Sequence, residues 1–199
     1  MHREIQSWYS PTLQRNMEIV EYGHFGPAIL LLPTAAADYL EYERFLLLDA
    51  IEPFISSGKV KVYSINSINN ESWLNSRIDG RTKVVRHNQF NHYVYHEVVP
   101  FIKGRTSRDT PIITCGASFG ALHAANLFFK NPWGIRGCIA MSGVYDLGTY
   151  TKGYWDEDCY WNSPLHFLND LNDQHHLDMI RSSQHIHIMT GSGDYEDPN

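Results

Sequence analysis

The chain has 199 residues, is 43% hydrophobic and carries a formal net charge of −6, which is material for one sizeable core, so residues 1–199 read as a single domain. Its 16 Lys and Arg never gather into the basic stripe that a nucleic-acid footprint requires, and no nucleic-acid partner is expected. The start, MHREIQSWYS, has no apolar stretch and no small-residue cleavage site, and the longest apolar run, residues 28–32, is far too short for a membrane span. A soluble protein with no membrane partner is expected. Three cysteines are an odd and sparse set, and Cys115 and Cys138 fall in predicted core strands. That usage suits a reducing compartment, so a cytoplasmic location is expected.

In chain order, residues 17–22 read as an early strand, and a turn at 23–27 leads into the continuous apolar run 28–32, the pattern of a strand buried on both faces. Pro33 ends it. A bend of small residues follows, Thr34-Ala35-Ala36-Ala37, and Asp38 is placed to N-cap an amphipathic helix through Ile55 that Pro53 breaks or kinks near its end. After the stop at Ser56-Ser57-Gly58, residues 59–65 form the next strand. Residues 66–82 are polar and irregular around Trp73, and a loop of that length favours a wall of a site. From 88 to 102 the apolar positions Phe90, Val94, Val98 and Phe101 recur at helical spacing, with Gly104 closing the segment.

Residues 112–115 are a buried strand, 121–129 an alanine-rich helix, and 136–141 another buried strand. From 146 to 173 aromatics mix with Gly and Asp, which predicts a loop with short helices over the sheet edge. Residues 177–182 read as the tail of a helix and 185–190 as a last strand before Gly191-Ser192-Gly193-Asp194. Strands alternating with helices predict an α/β fold: a doubly wound, mostly parallel sheet with helices on both faces.

Between the strand at 112 and the helix at 121 stands Gly116-Ala117-Ser118-Phe119-Gly120. In G-x-S-x-G the serine occupies a sharp turn from strand to helix, and the flanking glycines let the two elements pass closely. Such a turn lifts the Ser118 hydroxyl above the sheet edge and leaves the Phe119 N–H where an oxyanion would form. The parts suit acyl transfer.

With LLLPTAAADYLEYE, SINSINNESW, CGASFGA, MSGVYD and GSGDYED, the chain resembles an α/β-hydrolase and, within that superfamily, the esterase D-like group of esterases that includes feruloyl and acetyl xylan esterases. The resemblance covers nearly the whole chain. It implies a serine hydrolase with a Ser, acid, His triad in that chain order. The acid it implies is Asp194, with Glu196 as the alternative, Asp197 a further candidate, and Asp146 next. It also implies a second oxyanion donor in the bend at Thr34-Ala35-Ala36, assigned to the Ala35 N–H.

The resemblance places the catalytic histidine beyond the acid, after one more strand, whereas all eleven histidines precede Asp194. His123 is five residues past Ser118, about one and a half helical turns on, so its ring cannot return to the turn. His185 and His187 share a strand face but lack a third ligand, and His175 and His176 read as surface. Two readings follow: a chain lacking the C-terminal strand and helix of the fold, or a hydrolase fold that has lost its triad. The first fits better, because a doubly wound sheet seldom ends on a catalytic turn.

The expectation is a serine esterase acting on a small carboxylic ester through an acyl-enzyme on Ser118. The alternatives are a non-catalytic binding protein, or an acyltransferase or thioesterase built from the same parts. Trp73 and Trp155 are expected to line the substrate pocket, with Tyr154, Tyr160 and Trp161 near them. No cofactor and no metal are expected. The strand at 185–190 would leave an apolar edge of Ile186 and Ile188, which makes a homo-oligomer the possible assembly.

Overall fold

The computed structural model describes residues 1–193. Strand β1 (Arg3–Ser10) folds back as an antiparallel hairpin on β2 (Arg15–Tyr22), with Arg3 opposite Tyr22 and Ser10 opposite Arg15. No apolar run marks β1 in the sequence, because its burial alternates between exposed and half-buried up to the buried Ser10 that ends it. Trp8 anchors it: its ring stacks 5.2 Å from Phe101, and its indole N–H donates to the Glu97 carboxylate at 2.8 Å.

Five further strands, β3 (Ala28–Leu32), β4 (Lys61–Ile65), β5 (Ile112–Ala117), β6 (Gly137–Met141) and β7 (Ile186–Met189), complete a sheet in the order β1-β2-β4-β3-β5-β6-β7. β2 runs antiparallel to β1 and β4, and every pair from β4 to β7 is parallel. The mostly parallel sheet predicted from the βα alternation is present. From β3 the chain first steps outward to β4, then crosses back over β3 to β5 and continues to β6 and β7. Because crossovers between parallel strands are as a rule right-handed, this reversal of direction sends helices to opposite faces.

The predicted helix at 38–55 is two helices, α1 (Glu41–Arg44) and α2 (Leu47–Ser56), parted at Leu46, whose φ is 61°. The break falls there and not at Pro53, which rides within α2 on its exposed side. Helix α3 (Gly80–Tyr93) starts earlier than the periodicity suggested. Asp79 caps it, accepting from the Thr82 N–H at 2.8 Å, and a π-helical turn (Val94–Val98) leads to α4 (Val99–Arg105). The early start went unseen because the buried face of α3 carries Lys83, His87 and Asn91 at four-residue spacing, and polar residues there imitate a solvated face. Gly104 lies inside α4 and does not end it.

Helix α5 (Phe119–Lys130) follows β5 directly. The aromatic stretch folds as three short helices, α6 (Gly148–Thr151), α7 (Glu157–Trp161) and α8 (Pro164–Asp170), before α9 (Gln174–Arg181) returns the chain to β7. One core lies on the face covered by α3 to α5, joining Leu30, Leu32, Phe90, Val94, Leu127 and Phe128. The opposite face packs Val20, Leu31, Val62 and Cys115 against Tyr42, Leu48 and Ile55 of α1 and α2. Three free cysteines, Cys115, Cys138 and Cys159, are all buried, and no helix of the described residues is long and apolar enough to cross a membrane.

Candidate active site

Strands β3 and β5 are neighbours whose connections leave in opposite directions, toward β4 and toward β6. In open α/β sheets the crevice at the carboxyl ends of such a strand pair is where ligands bind. Two segments emerge there: the turn at 116–120 after β5, and the bend at 33–37 after β3.

Ser118 stands alone between the last residue of β5 and the first of α5 with φ 54° and ψ −118°, a conformation that costs a non-glycine residue on the order of 1–3 kcal/mol. The surroundings enforce it. The Ser118 N–H continues the β5–β6 ladder to the Met141 carbonyl at 2.9 Å, while its own carbonyl accepts from the Ala121 N–H at 3.1 Å to open α5. A Cβ on Gly116 would sit 2.4 Å from the Gly120 backbone, and one on Gly120 would sit 2.1 Å from the Leu32 carbonyl oxygen. Strand, helix and the end of β3 therefore meet at a distance only two glycines allow. The hydroxyl of Ser118 has no hydrogen-bond partner among the described residues. As the first residue of α5, Phe119 has an N–H without an intrahelical acceptor.

In the bend, the Thr34 N–H donates to Glu41 at 2.7 Å and the Ala37 N–H to the Thr34 carbonyl at 2.9 Å. Ala35 takes φ 33°, and both Ala35 and Ala36 are exposed with N–H groups that have no acceptor among the described residues. Tyr42 ties the two segments together: its hydroxyl donates to the Leu32 carbonyl at 2.8 Å and accepts from the Ala117 N–H at 3.3 Å. Burial pushes the Tyr42 phenol well above its ordinary range, so it stays a neutral donor. Sequence reading passed over Tyr42, whose role lies in a hydroxyl 10 residues from one partner and 75 from the other.

The expected pocket aromatics fare differently. Trp73 is 1% exposed, inside a cluster with Val84, Phe119, Leu122, Leu147 and Cys159; it is core beneath Phe119 and offers no surface to a ligand. Its loop is held inward by Lys83, whose ammonium donates to the Trp73 carbonyl at 2.9 Å and the Tyr150 carbonyl at 2.7 Å. Tyr150 meets Phe119 edge-on at 4.8 Å and is the aromatic adjoining the turn. Trp155 is 43% exposed and packs on His166 of α8 at 4.4 Å. The Tyr154 hydroxyl donates to Asp156, and Tyr160 meets Trp161 edge-on at 5.1 Å.

Asp146 accepts from the Gly148 N–H at 2.8 Å, closing a local turn before α6. Asp194, Glu196 and Asp197 lie outside the described residues. Among the described residues, three histidines hydrogen-bond through their rings away from Ser118: His123 to Asn69 at 3.0 Å, His166 to Ser163 at 2.7 Å, and His176 to the Phe129 carbonyl at 2.7 Å. His185 and His187 lie along β7 with ring centroids 6.5 Å apart.

No protein-family model matches the chain, and no curated protein matches it. Solved structures do. A ferulic acid esterase superposes with a TM-score of 0.69 over 92% of this chain and 76% of its own, at 16% identity. An S-formylglutathione hydrolase from Staphylococcus aureus gives 0.63 over 98% and 82%, at 16% identity. MPT51 of Mycobacterium tuberculosis gives 0.64 over 97% and 91%, at 14% identity. The fold is that of the α/β-hydrolases. At these identities the likeness is one of architecture, and the strand reversal at β3 and β5 is the part of that architecture that places Ser118 and the bend at 33–37 side by side in the sheet order.

One metal-like cluster exists in this α/β-hydrolase fold among the described residues: His2, Glu4 and Glu21, with potential ligand atoms within 4.8 Å of one another. Arg105 already bonds Glu21 at 2.6 Å and also pairs with Glu4, and buried Lys61 lies 3.3 Å from Glu21. Two cations neutralise the carboxylates, so the cluster is an ion-pair network at the foot of the sheet.

Proposed function

We propose that the chain is a serine hydrolase that cleaves a small carboxylic ester through an acyl-enzyme on Ser118. The observation that carries this reading is the strained Ser118 between β5 and α5, with the Phe119 N–H at the helix start and, in the bend, the Ala35 and Ala36 N–H groups, which have no acceptor among the described residues. The serine Oγ attacks the ester carbonyl, the tetrahedral oxyanion is held by the Phe119 N–H and a second N–H from the bend, and collapse expels the alcohol. Water then releases the acid. The proposed acid of the triad is Asp194, with Glu196 as its alternative, to orient and charge-stabilise the imidazole that takes the serine proton. Buried free thiols support a cytoplasmic setting.

A second reading is favoured by the histidine contacts: with His123, His166 and His176 bonded away from Ser118, the same cleft would bind an ester or acid without turning it over. A fluorophosphonate probe separates the two. The esterase reading expects covalent labelling that Ser118→Ala abolishes, together with a fall in p-nitrophenyl acetate turnover on the order of 10³-fold or more. Equal turnover by Ser118→Ala, or no labelling of Ser118 in the complete protein, refutes it and leaves the binder.

A further inference from the structure

The segment after β4 grips the bend at 33–37. The Ala35 carbonyl accepts two hydrogen bonds, from the Ser67 hydroxyl at 2.9 Å and from the Asn69 amide nitrogen at 2.5 Å. Ser67 is in turn held by the Asn69 N–H at 3.0 Å, and the Ser67 N–H reaches the Ala37 carbonyl at 3.3 Å. Behind Asn69 stands His123, its Nε2 3.0 Å from the Asn69 side-chain oxygen. Both side chains are buried, Asn69 at 0% and His123 at 2% exposure, on elements that have no need of polar residues for packing.

The proton positions along this chain follow from its end. A carbonyl can only accept, so the Asn69 NH2 must face Ala35 and its oxygen must face His123. His123 is then the tautomer protonated on Nε2, and its Nδ1 is a bare lone pair with no partner among the described residues. That arrangement requires a neutral ring, and burial holds His123 down to about 4. Two rings pack against it: His87 stacks on it at 5.2 Å and Phe90 meets it tilted at 5.1 Å.

We propose that Asn69, backed by His123, is a positioning residue that fixes the Ala35–Ala36 peptide so that the Ala36 N–H is presented as the second oxyanion donor. The peptide group is planar and trans, so drawing the Ala35 carbonyl toward Asn69 turns the N–H of the same peptide the opposite way. That N–H belongs to Ala36, which moves the assignment one residue from Ala35. The clamp supplies rigidity: oxyanion donors act by being in place before charge develops, and a bend of three alanines has no side chains of its own to hold it. This inference rests on the bend being half of the oxyanion hole.

The test uses the full chain, with Asn69→Leu to remove the clamp, Asn69→Asp to remove its donor while keeping an acceptor for His123, His123→Phe, and the double variant Asn69→Leu/His123→Phe. With p-nitrophenyl acetate and rates normalised to folded protein, both Asn69 variants are expected to lose about 10- to 10²-fold in kcat with KM within about twofold. His123→Phe should lose less and add nothing to Asn69→Leu, because the two act in series. A merely structural role lowers the melting temperature and the folded fraction but leaves the normalised kcat alone. Wild-type kcat in Asn69→Leu, or additive losses in the double variant, overturns the proposal. Amide NMR gives a second readout independent of turnover: the Ala36 amide resonance should move in both Asn69 variants, and His123 should show the Nε2–H tautomer. If the wild-type chain neither hydrolyses ester nor takes the probe, the esterase reading fails, and the clamp stands or falls on those two signals.

Discussion

Gly120→Ala probes the packing that forces Ser118 into its conformation. The added Cβ would lie 2.1 Å from the Leu32 carbonyl oxygen and 3.0 Å from that of Pro33, so one element must move by more than an ångström to restore contact. Neither can give cheaply. Leu32 is the buried end of β3, paired with Gly116 of β5, and its carbonyl also holds the Tyr42 hydroxyl. Overpacking against side chains costs about 1–3 kcal/mol. Here the obstacle is backbone, and lifting α5 also breaks a buried hydrogen bond worth about 1 kcal/mol. A loss of at least about 3 kcal/mol is expected, which for a chain of this size lowers the melting temperature by about 6–12 °C. Gly104→Ala is the control: its Cβ meets nothing within 4 Å, it lies in α4, and the change should stabilise by about 0.5–1 kcal/mol. Urea unfolding, comparing midpoints at equal m-value, measures both. Gly120→Ala within about 1 kcal/mol of wild type would show that no tight crossing exists at Ser118.

Other consequences can be measured on the same protein. His123 is neutral and buried with its pKa held at about 4, against about 6.5 in an unfolded chain. Between those values only the unfolded state takes up the proton, so stability falls as pH drops from 6.5 toward 4, by on the order of 3 kcal/mol from this ring, and His87, also held well below its ordinary range by burial, acts in the same direction. Urea midpoints at pH 7, 6 and 5 should decline, and more weakly in His123→Phe; a flat profile refutes the neutral buried ring. Burial pushes the Cys115 and Cys138 thiols up to about 12 and Cys159 to about 11. None should react with iodoacetamide in the native protein at pH 8, and all three should after unfolding; rapid native labelling would place a thiol at the surface.

The strands at 28–32 and 112–115, the helix after Ser118 and the G-x-S-x-G turn between them were legible in the sequence, because each is a local signal: an apolar run, an alanine-rich segment, two glycines at a fixed offset. The α/β class followed from their alternation. The tertiary structure decided the rest. Strand β1 is recognisable only through its pairing with β2, and the first helix is parted at Leu46, whose backbone is left-handed, and not at Pro53. Trp73 looked like a pocket wall since a long polar loop surrounds it, yet Lys83 draws that loop inward and buries the ring. Asn69, His123 and Ala35 are 34 and 54 residues apart in their contacts, and nothing in periodicity joins them. A polar residue that will be buried and satisfied has the same local signature as one that will face water; only the partner brought by the fold tells them apart.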